Sequence, residues 1–340
     1  MITEKENYLR VLRGEMPEWI PRMTMGPDPK SKRPPCSAQV RPSCLTRAVR
    51  EDGVMRDWFG VVYESDSQGG PPMPSPRVHL LELEDIENWR DVIKAPDLSD
   101  VDWEAMAAKD LEKIDRENTA LKLQVGSGYF QSLVSFMGFE NALMAPLEAE
   151  DETIEILSYV CDFYCDFTQK AIEYYKPDVL ELADDNASAT RPFFSLDLYR
   201  KIYKPFQKRE ALLAADRGIP VSMHDCGHCE IFIDEWLEFG VRSWNPAQTS
   251  NDLIGIKEKY KGRLALSGCW DSQGRMSFPS TGEEEIRAAV RECIDTFAPG
   301  GGFCFSAAVM GRPGDQLTAD KNRWIAEEYE AYGRNWYQTH

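Results

Sequence analysis

No stretch of this 340-residue chain reaches the roughly 18 consecutive apolar residues that a bilayer-spanning helix needs. That excludes a helical membrane protein. The opening MITEKENYLRVLRG lacks the apolar centre of a secretory signal, so a cytoplasmic protein is expected. Positive charge is in deficit: Lys+Arg 39 stand against Asp+Glu 57, a net charge of -18. Such a balance argues against a nucleic-acid footprint and against an anionic membrane as partner. Only four histidines occur. The nine cysteines are an odd number in a chain without an export signal, which argues against a disulfide framework. Cys226-x-x-Cys229 has no second CxxC to complete a zinc ribbon. There is no internal repeat, and no low-complexity tract beyond one Pro-rich stretch.

What is present suffices for a large core: 42% hydrophobic and 11% aromatic residues. The length fits two domains or one barrel with insertions. Thr3 and Glu6 have capping-box spacing, and Gly14 closes the helix between them. WIPRMTM (19–25) reads as a first strand, and residues 26–50, with PDPKSKRPP, as a long loop, either a lid or a disordered excursion. GVVYE and GGPPMPSP, between Trp58 and Val78, read as irregular or edge structure. From about residue 120 short strands alternate with helices. LKLQVGSG (121–128), DVLELADD (178–185), VSMHDCG (221–227), RLALSG (263–268) and GFCFSA (302–307) share one pattern. Each puts large apolar residues on one face and small or polar ones on the other. A parallel sheet covered by helices on both sides would be apolar on both faces. The pattern instead favours an α/β barrel over an open, doubly wound sheet. In it, residues 1–118 hold the helix, first strand, loop and insertions, and 119–340 the regular portion. Helices are expected over 151–175, 195–218 (kinked at Pro205) and 282–301.

The densest reactive stretch is HDCGHCE (224–230). His224 and Cys226, two apart on a strand, face the same way, and the opposed Val221 and Met223 make that way inward. Cys304 is inward on its own strand by the same alternation. One imidazole and two thiolates form a zinc set with an open fourth position, the layout of a catalytic zinc. The competing reading is that a His-x-Cys pair is packing. Glu181 is inward, with Asp184 and Asp185 above it at the strand end, where barrels keep catalytic groups. These three carboxylates are candidate catalytic residues, as ligands or as partners of a ligand. Capping by the aspartates and pairing of Glu181 with Lys122 are the structural alternatives. Met23, Met25, Tyr129, Phe130, Trp244 and Trp270, near strand ends, are candidate walls of a substrate pocket. His79, His228 and His340 read as incidental.

KENYLRVLRGEMPEWIPR, DWFGVVYE, LEDIENWRDVIKAPDL, DVLELADD, YKPFQK, HDCG, WNPAQ and RLALSGCWD together resemble the uroporphyrinogen decarboxylase superfamily over nearly the whole chain. The resemblance implies an α/β fold, a (β/α)8 TIM barrel with an N-terminal extension, as a single domain over 1–340 with its site at the C-terminal mouth. That superfamily holds metal-free decarboxylases and zinc-dependent, corrinoid-linked methyltransferases, among them methylcobalamin:coenzyme M enzymes and O-demethylase components. The decarboxylases carry an RQAGR-type motif after the first strand. Here that stretch reads PRMTMGPDPK, and Met23, Thr24 and Met25 offer no positive charge. His224, Cys226 and Cys304 match the methyltransferases' His-x-Cys and distant Cys. The resemblance therefore implies a zinc-dependent methyltransferase moving a methyl group between a methyl ether or thiol and a corrinoid. No DxHxxG motif is present, so the corrinoid is expected on a partner protein. A homodimer is a further expectation. A metal-free carboxy-lyase is the alternative.

Overall fold

The computed structural model describes residues 2–24, 33–50, 52–65, 72–126, 128–312 and 314–340. Seven strands run parallel in one sheet, in chain order. They are β1 (Ser37–Val40), β6 (Ala120–Gln124), β7 (Val179–Asp184), β8 (Val221–Asp225), β9 (Val241–Ala247), β10 (Ala265–Gly268) and β11 (Phe303–Phe305). The four short strands between the first two, β2 (Ala48–Val49), β3 (Met55–Arg56), β4 (Val62–Glu64) and β5 (Met73–Pro74), form a separate antiparallel sheet. Parallel neighbours require crossover connections, and helices supply most of them. The longest, Glu150–Tyr175, buries Ile156, Leu157, Val160, Tyr164 and Phe167. Each apolar side chain so buried stabilises the fold by about 1.5–3 kcal/mol.

The sheet is curled. The segment after Ile20 lies along β11, where Met23 N donates to Phe305 O at 2.8 Å and Phe305 N to Pro21 O at 2.8 Å. At the other edge the thiol of Cys36, just before β1, reaches Arg22 O at 3.1 Å. The expected first strand over 19–25 is thus a single bridge, Arg22 with Phe305, and the full eighth strand is not formed among the described residues. Met25 lies outside the described residues.

The expected 26–50 loop is corrected more sharply. Residues 37–40 form β1, paired with β6 from Ser37–Ala120 to Val40–Leu123. Four residues, Ser-Ala-Gln-Val, are too few to show a period, and the preceding Pro-Pro masks them. The helix expected over 195–218 breaks where Pro205 predicts it should. Residues Tyr199–Tyr203 wind as a π-turn before Lys204–Ala215 resumes as α-helix, because Pro205 offers no N–H to the preceding turn.

One end of the sheet is closed by the helix Glu4–Leu12. Its Thr3 cap accepts from Glu6 N at 3.1 Å, and Glu6's carboxylate pairs with Arg13 rather than completing the box. Tyr8, Val11 and Leu12 pack against Ala120, Val179 and Ala265, the first residues of β6, β7 and β10. This end is apolar and filled. The other end, where the strands finish, opens into a cavity.

Candidate active site

The cavity at the C-terminal ends of the strands measures about 1640 Å³. Its lining follows the period-two alternation: Lys122 and Gln124 from β6, Glu181, Ala183 and Asp185 at β7, His224 and Cys226 at β8, Asn245 from β9 and Ser267 from β10. No helix among the described residues is long and apolar enough to cross a membrane. All nine cysteines are unpaired thiols.

Asp185, His224 and Cys226 bring a carboxylate oxygen, a ring nitrogen and a sulfur within 4.8 Å of one another. His224 Nδ1 lies 2.9 Å from Asn245 Oδ1, and its Nε2 lies 3.9 Å from Cys226 Sγ. The Asn245 amide nitrogen donates to Glu181 Oε2 at 2.9 Å and to Ser222 Oγ at 3.1 Å, so its oxygen faces the histidine. That orientation makes Nδ1 the protonated nitrogen and leaves the Nε2 lone pair for a ligand. Asp185 Oδ1 accepts from Cys226 N at 3.2 Å, tying the β7 end to the β8 end. Burial, then the charge and hydrogen bond of Asp185, push the Cys226 thiol up. A divalent cation is the counter-charge that would draw off that proton. Imidazole, thiolate and carboxylate together form a borderline-soft set that suits zinc.

Cys304 does not join this set. It is fully buried at the closed end, among Tyr8, Cys36, Ala120, Val179 and Ala265. Alternation gave its direction correctly, but not its height. Strands of a curled sheet are tilted, and a layer of constant height slips by about one residue per strand, as in an eight-stranded barrel. Cys304 shares a ladder row with Ser267, where the register between β9 and β10 shifts, between Leu266–Trp244 and Gly268–Ala247. With such a stagger, the cavity level on this last strand lies beyond Cys304. Ser306, Ala307 and Ala308, not Cys304, reach the cavity.

Glu181 is buried against Lys122, with which it forms an ion pair and a short hydrogen bond. Burial alone would raise its pKa. The Lys122 charge, with hydrogen bonds from Lys122 and Asn245, outweighs that and holds it below the usual carboxylate value. Lys122, Glu181, Asn245 and His224 thus form one polar chain, with Glu181 two hydrogen bonds away from the imidazole. Asp184 also lines the cavity, but its oxygens are already engaged. Its oxygens accept from the backbone of Tyr129 (3.0 Å), Phe130 (3.3 Å) and Gln131 (3.0 Å) and from Gln207 Nε2 (3.0 Å). It holds the start of the helix Tyr129–Met137, and burial pushes it up to about 6. Gly128 precedes that helix at φ 95°, and a Cβ there would lie 2.2 Å from Ala183 O and 2.5 Å from Asp184 Cγ. Only glycine lets the two segments meet.

Of the expected pocket walls, Met23 and Trp270 line the cavity. Tyr129 faces away and donates to Glu210 at 3.0 Å. Phe130 is buried among Phe139, Phe193, Phe194 and Tyr203. Trp244 donates to Asp225 O at 2.9 Å and packs on Trp236. On β9 it is Asn245, one residue on, that points inward, a position the alternation of VRSWNPA could have revealed. The cavity is also richer in cations than its first-strand sequence implies, being lined by Arg22, Arg33, Arg41, Arg47 and Lys122.

The family model described as Uroporphyrinogen decarboxylase (URO-D) matches residues 57–310, about three quarters of the chain. The chain belongs to the uroporphyrinogen decarboxylase family. Among solved structures, it is similar to a methyltransferase from Methanosarcina mazei, with a TM-score of 0.67 and 15% identity. That likeness covers 97% of this chain and 100% of the other, and at such identity it establishes the shared fold. No curated protein matches the chain. The open end, with its His224–Cys226 pair, lies at the C-terminal ends of the parallel strands, the end at which (β/α) barrels keep their active sites.

Proposed function

We propose that this protein is a zinc-dependent methyltransferase, moving a methyl group between a small methyl ether or thiol and a corrinoid carried by a partner protein. The observation that carries this reading is the Asp185–His224–Cys226 cluster at the cavity mouth, with His224 locked by Asn245. The fold shared with a methyltransferase supports it. Asp185, His224 and Cys226 would hold the metal, which supplies a Lewis acid for the substrate's oxygen or sulfur. Asn245 fixes the ring orientation of His224 that presents Nε2, and the Lys122–Glu181 pair anchors Asn245. Cys226 gives up its proton when the site is loaded. Met23 and Trp270 offer apolar surface beside these donors. The cavity exceeds the roughly 300–1,000 Å³ usual for one small ligand, leaving space for part of a partner-borne cofactor.

Anaerobic incubation of zinc-loaded protein with cob(I)alamin and a panel of methyl ethers and methyl thiols tests the reading. Formation of methylcobalamin, seen in the visible spectrum, is expected. The absence of any metal uptake together with no methyl transfer across the panel would overturn it.

The arginines in the cavity favour a second reading, a metal-free carboxy-lyase. Carbon dioxide release from a carboxylate substrate by metal-stripped protein would select it.

A further inference from the structure

Beyond Val40, the last residue of β1, the chain enters the cavity at Arg41, and Arg47 follows from the next turn. Arg41 donates through Nε to Gln124 Oε1 at 3.2 Å. The same oxygen also accepts from Gln39 Nε2. Arg47 lies 4.1 Å over the Tyr63 ring, and its Nη1 donates to Pro72 O at 3.3 Å. Its Nε is buried with no hydrogen-bond partner. Among the described residues neither guanidinium is ion-paired, and Glu181, the carboxylate nearest in influence to Arg41, is taken by Lys122. Burial first, and then the charge of Arg47, weaken Arg41's hold on its proton, so the two cations repel each other. The cavity-lining side chains beside them, Gln39, Gln124, Tyr63 and Ser135, are polar and neutral. The buried Asp57 carboxylate feels the charge of Arg47 without an ion pair among the described residues, and it accepts from the amides of Phe59 and Val61.

Two like charges facing one cavity, Arg41 exposed and Arg47 partly buried, with donors to spare, are stabilised by an anion brought in from outside. A guanidinium presents a planar fork that matches the two oxygens of a carboxylate. We propose that Arg41 and Arg47 form a subsite for the carboxylate of a small substrate. On the methyl-transfer reading, the substrate is then a methoxy or methylthio carboxylic acid. Its carboxylate lies on the β1 side of the cavity, and its methyl-bearing atom at Asp185, His224 and Cys226 on the β7–β8 side.

Calorimetric titration of the whole protein tests the subsite without needing turnover. The probes are 3-methoxybenzoate, 4-methoxybenzoate and methoxyacetate, each against its primary carboxamide, with inorganic phosphate as a further arm. At least one carboxylate is expected to bind at least about tenfold more tightly than its amide and than phosphate. Arg41→Gln and Arg47→Gln should each weaken it roughly 10- to 100-fold. Arg47→Lys, which keeps the charge but not the fork, should retain part of the affinity and guards against a folding artefact. Failure of every carboxylate to bind, equal binding of amide or phosphate, or unchanged affinity in both glutamine variants would overturn the subsite. Carboxylate binding that depends on the arginines, with no methyl transfer, would leave the subsite standing and remove the methyl-transfer reading.

Discussion

Cys226 and Cys304 are both inward cysteines on parallel strands of one curled sheet, yet they lie at opposite ends of it. Cys226 ends β8 beside a histidine and a carboxylate, at the edge of a large cavity. Cys304 sits among alanines, Val179 and the ring of Tyr8, sealed by the N-terminal helix. The same side chain with the same facing is a metal ligand candidate in one place and a small hydrophobe in the other. Height along the tilted strand separates them, because polar groups gather where strands end and open, while the closed end can be satisfied only by packing.

Substitutions at the open end should have the largest effect. His224→Ala and Cys226→Ala should each abolish tight zinc binding, with methyl transfer falling further than the ~10–100-fold typical of losing an outer partner. The fold should survive, since its stability rests on the apolar core. Elemental analysis and circular dichroism check both points. Retained zinc in either variant would erase the contrast between the two ends.

Glu181→Gln leaves Lys122 buried without its counter-charge, at a cost of about 3–5 kcal/mol. Chemical denaturation measures it. Because the folded-state pKa of Glu181 is depressed, its stabilisation is present above the unfolded carboxylate value. It is lost as pH falls through the lower folded value. An acid-side loss of stability that is unchanged in Glu181→Gln would show that the pair is not the anchor described. Asn245→Ala frees the imidazole, and zinc affinity should drop ~10–100-fold while the metal's ligands stay in place. Competition with a chelator reads that change.

At the closed end, Cys304→Ala should cost only about 1–2 kcal/mol, with zinc content and activity unchanged. Glu210 gives the opposite linkage. Burial raises it to about 7, so the folded protein holds that proton more tightly than the unfolded chain. Its contribution to stability therefore falls as pH rises from about 4.5 to about 7. Glu210→Gln should flatten the pH dependence of the melting temperature across that window.

Much of this was legible in the residues. The alternation in 178–185, 221–227 and 263–268 marks strands and their inward faces, and Glu181, His224 and Cys226 line the cavity as it predicts. Facing is a local property of the pleat, so a sequence carries it. Height is not, because it depends on the cumulative stagger of several strands, so the facing of Cys304 does not reveal that it lies at the closed end. β1 was hidden because four residues after a Pro-rich run carry no periodic signal. Tyr129, Phe130 and Trp244 are aromatic residues near strand ends, but each covers the outside of the sheet. Proximity along the chain does not say which side a ring takes. Asp184 could be read as cap or catalyst, and its three backbone donors show it acting as the cap.

The most direct test is zinc K-edge X-ray absorption of the metal-loaded protein, alongside its zinc content. The account predicts about one zinc per chain, with a single sulfur neighbour at about 2.3 Å and nitrogen or oxygen in the remaining positions. That spectrum should be unchanged in Cys304→Ala. A shell of two sulfurs, or a protein that takes up no zinc, would contradict the assignment of Asp185, His224 and Cys226 as the metal site.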